Sequence, residues 1–320
     1  MKTVGLLISH KNNEKRRALL PEDLNKIKYL DKLYFEKGYG ESVGFKDSDY
    51  KGAKFVTREE VLKCDIIVDV KLGDADYLDI LDNRKILCGW AHAVQNIDFT
   101  TNAIKKQNTI IAWENIFKDG RYIFYRNREI AGEAAILQAM RYAEKMPYET
   151  KVAIIGNGQT AKGALRILHG LGASVDVYNK KQENFFKKNM YNYDVIVNCV
   201  LWDTTRTDRL IYKEDLKKMK PGTLIIDISC DPYLEIETSH PTTIDEPVYT
   251  VDGVIHYAVD NTPAMFSKSV SKVLSNNFAS YFDELVTSNY SKELQKAILI
   301  EEGTILDSEI IKFRELKGVK

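Results

Sequence analysis

Four side chains suited to binding anions or carrying protons stand just beyond apolar runs in the first hundred residues. Arg16 and Arg17 follow Val4–Ser9 in HKNNEKRRALLP, Lys71 ends IIVDVK, and His92 ends KILCGWAH. A guanidinium fork holds a carboxylate through paired hydrogen bonds. A lysine or an imidazole can exchange the proton that must accompany hydride transfer to a carbonyl or imine. Singly, each has a plainer reading, because lysines beyond strands are normally solvated and lone histidines are normally structural. Together they fit that reduction, provided the apolar runs are parallel strands whose ends converge. In the second half, IIDISCDPYLEIETSHPTT puts Asp227 in an apolar run and Asp231 just past it. Asp231 either faces the reacting groups or merely caps a turn.

A hydride donor is suggested by KVAIIGNGQTAKGALRILHGLGASVDVYNKK, residues 151–181. A β-run meets Gly156-Asn157-Gly158, then a helical segment opened by Gln159, Thr160 and Ala161, then a second β-run, Ser174–Tyr178. This is the order of a dinucleotide-binding βαβ unit. Gly156 permits the tight turn, Gly158 lets a pyrophosphate approach the backbone, and Ala161 lets the helix sit close. The N–H groups at the helix start then face the phosphates. An NAD-binding unit places an acidic residue at the end of the second strand, on the ribose 2′-OH. Here Asn179, Lys180 and Lys181 stand there instead, and would attract a 2′-phosphate. NADPH/NADP+ is therefore expected over NADH/NAD+, the alternative being that both lysines are ordinary solvated turn residues. Asn261, in NTPAMF, could join a loop over the cofactor.

The elements needed to position these residues are legible as alternation. Strand patterns at Val4–Ser9, Lys32–Glu36, Ile66–Lys71, Lys85–Gly89 and Thr109–Ala112 alternate with helical patterns at Pro21–Tyr29, Arg58–Lys63 and Phe99–Gln107. Such a rhythm implies a mostly parallel sheet. Glu129–Lys145 reads as a helix into the cofactor domain, which continues through Asp194–Cys199, Leu224–Ile228 and Val248–Thr250. Ser267–Val286 reads as a second long connecting helix. The expected fold is α/β: two doubly wound Rossmann-like domains joined by two long helices, with the active site in the cleft between them. Residues 1–128 plus 268–320 form the substrate domain, and 129–267 the dinucleotide domain.

The chain has 320 residues, 46 Lys plus Arg against 46 Asp plus Glu, so a broad nucleic-acid surface is not expected. No apolar run approaches the roughly 20 residues of a bilayer span, and no leader pattern opens the chain, so a cytoplasmic location is expected. Cys64, Cys88, Cys199 and Cys230 are dispersed without a CxxC pair, which argues against zinc and disulfides and for core packing.

These motifs resemble the alanine dehydrogenase family, which includes the lysine-forming saccharopine dehydrogenases and the carboxyethylornithine synthases. RRALLP (16–21) is similar to the family's RVALTP, which implies Arg16 as the substrate-carboxylate residue, with Arg17 departing from the usual valine. VDVKLG implies Lys71 and GWAH implies His92 as active-site residues, and IIDISCD implies Asp231 beside the nicotinamide. The short chain, GWAH and the Asn179-Lys180-Lys181 strand end look most like the carboxyethylornithine synthase branch. That branch implies NADPH-dependent condensation of pyruvate with the side-chain amine of ornithine, lysine being the next candidate, in a homo-oligomer. Arg126 or Arg128, in FYRNRE, is available for a second carboxylate if the keto acid is 2-oxoglutarate. Alanine dehydrogenase or saccharopine dehydrogenase activity, or nucleotide binding without turnover, are the alternatives.

Overall fold

The computed structural model of the chain describes residues 1–203, 206–230 and 232–319. They divide into two compact units, Met1–Phe124 with Ser267–Lys320, and Tyr125–Phe266. The chain passes from one to the other at 124/125 and returns at 266/267.

Six parallel strands of the first unit lie in the order Lys54–Val56, Leu33–Glu36, Val4–Leu6, Ile66–Val68, Ile86–Gly89, Thr109–Ala112. Numbered along the chain this is 3-2-1-4-5-6, the doubly wound order. Ile298–Glu301 adds antiparallel to Thr109–Ala112, and Thr304–Ile305 pairs with it in turn. The central strands are buried on both faces: Val4, Leu6, Ile66, Ile67 and Val68 are at most 1% exposed, as β-branched and aliphatic runs in parallel sheets are. Gly5 interrupts them because a Cβ there would lie 2.6 Å from Val61 Cγ1. Its absence lets the helix Arg58–Val61, capped by Thr57, pack close to the first strand. The strand order reverses between Val4–Leu6 and Ile66–Val68, which are in register at Leu6 and Val68. Their carboxyl ends therefore open at one level, and ligands of doubly wound sheets bind at such a reversal.

Several elements of this unit differ from the sequence expectation, the first strand among them, which ends at Leu6 rather than Ser9. The strand at Ile66 stops at Val68, because Asp69 turns its carboxylate back to accept the N–H of Lys71, and a 3-10 turn, Leu72–Asp74, follows. Ser267–Val286 is two helices, Ser267–Phe278 and Tyr281–Thr287. The break at Ala279–Ser280 sets Phe278 and Phe282 edge to face, with ring centres 5.3 Å apart. Pro21–Lys26 is a 3-10 helix and ends short of Tyr29.

The second unit has five parallel strands in the order Ser174–Tyr178, Lys151–Ile155, Val195–Asn198, Leu224–Asp227, Val254–Tyr257, with Val248–Val251 antiparallel at the edge. Its reversal lies between Lys151–Ile155 and Val195–Asn198. Helix Tyr125–Ala139 begins earlier than expected and gives way to a 3-10 turn at Met140, before the left-handed Glu144. It crosses helix Gln159–Gly170 at two glycines. A Cβ on Gly132 would lie 2.0 Å from Thr160 O, and one on Gly163 would lie 1.9 Å from Glu129 O. Among the described residues no helix is long and apolar enough to cross a membrane.

Candidate active site

Beyond the strands that flank the reversal of the first unit lie buried cations and carboxylates, Arg16, Lys71, Glu14 and Asp69 among them. Arg16 is 2% exposed. Its guanidinium lies 4.8 Å from the centre of the Trp90 ring and grips Glu14 with two prongs, Nε at 2.9 Å and Nη2 at 2.5 Å. Cation over ring and carboxylate in the guanidinium plane together hold the fork in one orientation. The Trp90 indole N–H donates to Tyr122. Arg17 is buried too, but donates to the carbonyls of Tyr39 and Arg16 and packs over the Tyr39 ring. It braces the fold around the segment that carries Arg16.

The Lys71 side chain is 7% exposed, with its Nζ 3.3 Å from Asp74, a carboxylate that Lys11 also holds at 3.2 Å. Its backbone N–H is bonded to Asp69. Burial pushes the Asp69 carboxyl up to about 6, against the N–H of Lys71 and the hydroxyl of Tyr77 that favour its charged form. Glu114 follows the strand Thr109–Ala112 and accepts the backbone N–H groups of Ala91 at 3.2 Å and His92 at 2.6 Å. Burial raises its pKa, while those N–H groups and the charge of Lys71 oppose the rise. His92 is held in the left-handed region at φ 46°, an uncommon conformation for a side-chain-bearing residue. The bond to Glu114 compensates for it and leaves the imidazole exposed. Glu114 thus bonds the His92 backbone and feels the charge of Lys71, and Arg16 rests on Trp90, two residues before His92.

The second unit presents backbone where the first presents charge. Gly156 has φ 112°, and a Cβ there would meet the Cys199 carbonyl at 2.8 Å, so glycine is required on both counts. Gly158 has an ordinary φ of −84° and nothing within 4 Å of a would-be Cβ. Neither backbone strain nor packing calls for glycine at 158, so the open space beside it fits a ligand that must come close. Gly158 is also the residue before helix Gln159–Gly170 and has no side chain to cap it, which leaves the helix-start N–H groups for an anion. Gln159 and Thr160 form the partly exposed first turn, while Ala161 is 3% exposed in the core. These features fit the pyrophosphate of a dinucleotide.

Beyond the second strand, the Asn179 side chain caps the 3-10 turn Lys180–Gln182 by accepting the N–H of Lys181 at 2.9 Å. Lys180 and Lys181 are exposed and, among the described residues, form no ion pair. Asn261 is left-handed at φ 70°, before a 3-10 turn whose Thr262 hydroxyl donates to Ala131 O. Arg126 belongs to this unit and bonds Glu129 and Glu133 one and two turns along its own helix, with Arg166 joining the same carboxylates. The sequence-predicted Asp231 lies outside the described residues. Glu14, Asp69, Asp74 and Glu114 were not foreseen. Glu114 carried the same signal as Lys71 and His92, a charged residue just past a strand, in TIIAWEN.

Comparison with known proteins places this geometry among relatives. Residues 7–124 match the family described as Alanine dehydrogenase/PNT, N-terminal domain, and 178–312 match its C-terminal domain. Residues 120–235 also match the NAD binding domain of D-isomer specific 2-hydroxyacid dehydrogenases. The chain is 32% identical to an N(5)-(carboxyethyl)ornithine synthase of Clostridium botulinum, over 91% of this chain and 95% of that one. It is 31% identical to the protein of the same name from Lactococcus lactis, over 87% and 96%. Its fold is that of a solved L-alanine dehydrogenase, with a TM-score of 0.83 at 21% identity, covering 98% and 99% of the two chains.

Proposed function

Because the chain belongs to the alanine dehydrogenase/PNT family, oxidoreductases of CH–NH bonds with a nicotinamide cofactor, we propose that it joins pyruvate to the side-chain amine of ornithine and reduces the resulting imine, with NADPH as reductant. Support for the chemistry comes from Arg16 and Lys71, two buried cations that follow the two strands at the reversal of one unit. Support for the substrates comes from the two carboxyethylornithine synthases, similar over nearly the whole chain.

The residues divide the work as follows. Arg16 anchors a carboxylate of the keto acid, sharing its fork with Glu14. The neutral amine attacks the pyruvate carbonyl, and the carbinolamine must lose water. Forming the carbinolamine needs a base for the proton that leaves the attacking nitrogen, the role given to the exposed His92, and its loss of water needs a proton delivered to the departing oxygen, the role given to Lys71, so that a protonated imine results. Asp74, 3.3 Å from Nζ, and the nearby Glu114 offset the cost of burying the Lys71 ammonium, and Asp69 fixes the Lys71 backbone. Gly156, Gly158, Gln159, Thr160 and Ala161 form the elbow for the pyrophosphate, and Asn179, Lys180 and Lys181 receive the 2′-phosphate. When bound, the reduced nicotinamide would supply a hydride to the carbon of the protonated imine, whose positive charge on nitrogen is neutralised as the secondary amine forms. Asp231 is assigned a place beside that ring by its motif alone.

The test is the loss of NADPH absorbance with pyruvate or 2-oxoglutarate, each against ornithine, lysine and ammonia. Pyruvate with ornithine should turn over fastest. Turnover confined to ammonia would make the protein an alanine dehydrogenase, and dependence on 2-oxoglutarate with lysine would make it a saccharopine dehydrogenase. Cofactor binding with none of these reactions would end the proposal.

A further inference from the structure

Behind the glycine elbow of the second unit lies a set of buried polar groups that the proposed chemistry does not use. Asn198, Asp227, Glu235 and Ser239 are each at most 1% exposed. The Asn198 amide donates one proton to Asp227 Oδ1 at 2.9 Å and the other to Glu235 Oε1 at 2.7 Å. The Ser239 hydroxyl and the Cys230 N–H donate to Asp227 as well. Two enclosed carboxyl groups therefore share a single side-chain amide. For stability alone this is a poor choice, since apolar residues of similar volume commonly do as well or better in a core.

The position of Asn198 explains what such a set can do. It ends the strand Val195–Asn198 and pairs in register with Ile155, the residue before Gly156. The next N–H, that of Cys199, bonds Ile155 O at 2.8 Å, and the Cys199 carbonyl is what a Cβ on Gly156 would strike. The Asn198 side-chain oxygen, Oδ1, accepts the N–H of Val200 at 3.2 Å. Its side chain thereby shapes residues 199–200, the backbone wall of the elbow, and is itself fixed by the two carboxyl groups. We propose that Asn198, clamped between Asp227 and Glu235, is a positioning residue for the dinucleotide, setting the wall against which the Gly156–Gly158 turn binds it.

This rests on the reading of that turn as a cofactor site, and the experiment separates the two. Dissociation constants for NADPH and NADH are measured by calorimetry on the full chain, for wild type, Glu235→Leu, Glu235→Gln and Ser239→Ala. Wild type binding neither nucleotide would refute the cofactor reading itself. With wild type binding, Glu235→Leu should weaken nucleotide affinity by about tenfold, the scale of one lost buried hydrogen bond. Glu235→Gln keeps an acceptor toward Asn198 and should restore it to within about twofold. A purely structural role would lower the unfolding temperature of both variants while leaving the affinity of the folded protein unchanged, and that result overturns the proposal. If Glu235→Leu does not fold, Ser239→Ala decides: it removes only the outer donor to Asp227 and should weaken affinity by about threefold, and unchanged affinity counts against the clamp.

Discussion

The two units do opposite things with their strand ends. In the first, the ends of Val4–Leu6, Ile66–Val68 and Ile86–Gly89 lead into Arg16, Lys71 and His92, and what the unit presents there is side chains, Arg16 and Lys71 buried against carboxylates and His92 exposed. In the second, the end of Lys151–Ile155 leads into Gly156 and Gly158, and what the unit presents there is backbone without side chains. Under the proposed function, the difference follows from what each unit recognises. A small keto acid and an amine offer a few charges and a carbon to be attacked, so discrete groups must meet them. A pyrophosphate offers a line of anionic oxygens, which backbone N–H groups satisfy if nothing stands in front of them.

The largest test of this contrast is Lys71→Ala. It should lower kcat by about 10²–10⁴, the usual worth of a general acid or base, while NADPH affinity stays within about twofold by titration. A parallel loss of cofactor affinity would break the division of labour. In the second unit, Gly158→Val should weaken NADPH binding by about a hundredfold, a bulky group having displaced a phosphate contact worth a few kcal/mol. Its thermal unfolding should be unchanged, since that φ and the space around it suit any residue. Gly163→Val inverts the pattern. Its Cβ would collide with Glu129 O, so unfolding stability should fall by about 3 kcal/mol or more, an overpacking cost.

Asp69 gives a pH-dependent test. Its folded pKa is raised from the usual 3.8 to about 6 by burial. As pH climbs, the unfolded chain therefore gives up this proton first. The group's contribution to stability is complete below about pH 4 and is lost as pH rises toward 6, on the order of 3 kcal/mol in all. Asp69→Asn should remove that slope, because an amide can accept from Lys71 and donate to the Tyr77 oxygen. Chemical denaturation of both proteins between pH 4 and 7 measures it, and parallel curves would refute the assignment. The smallest effect concerns the cofactor's phosphate. Lys180→Glu with Lys181→Glu should shift the ratio of NADPH to NADH affinity toward NADH by about tenfold. An unchanged ratio would return both lysines to the status of solvated turn residues.

How readily each region could be read from the chain follows the same division. The elbow was legible because its requirements are local: a positive φ at Gly156, clearance at Gly158 and a helix start immediately after are all encoded within a dozen residues. The strands that end in Arg16, Lys71 and His92 were visible as apolar runs, and alternation with helices implied that they lie parallel. Glu14, Asp74 and Glu114 were not read as neighbours of these cations, nor Asp69 as the acceptor of the Lys71 N–H. A carboxylate in sequence looks the same whether it is solvated or sealed against an ammonium, and only packing removes the water that separates those cases.

Boundaries shifted for related reasons. The strand at Ile66 stopped where Asp69 captured the Lys71 N–H, and the helix at Ser267 broke where aromatic packing favoured a turn. Arg16 and Arg17 show the limit most plainly: adjacent and alike in sequence, one lies on an indole ring and the other on backbone carbonyls. Residue type and spacing determined the α/β architecture, the dinucleotide turn and the cations available for chemistry. Tertiary structure decided which carboxylates enclose those cations and which arginine faces them, because burial and partner choice depend on residues brought together from distant parts of the chain.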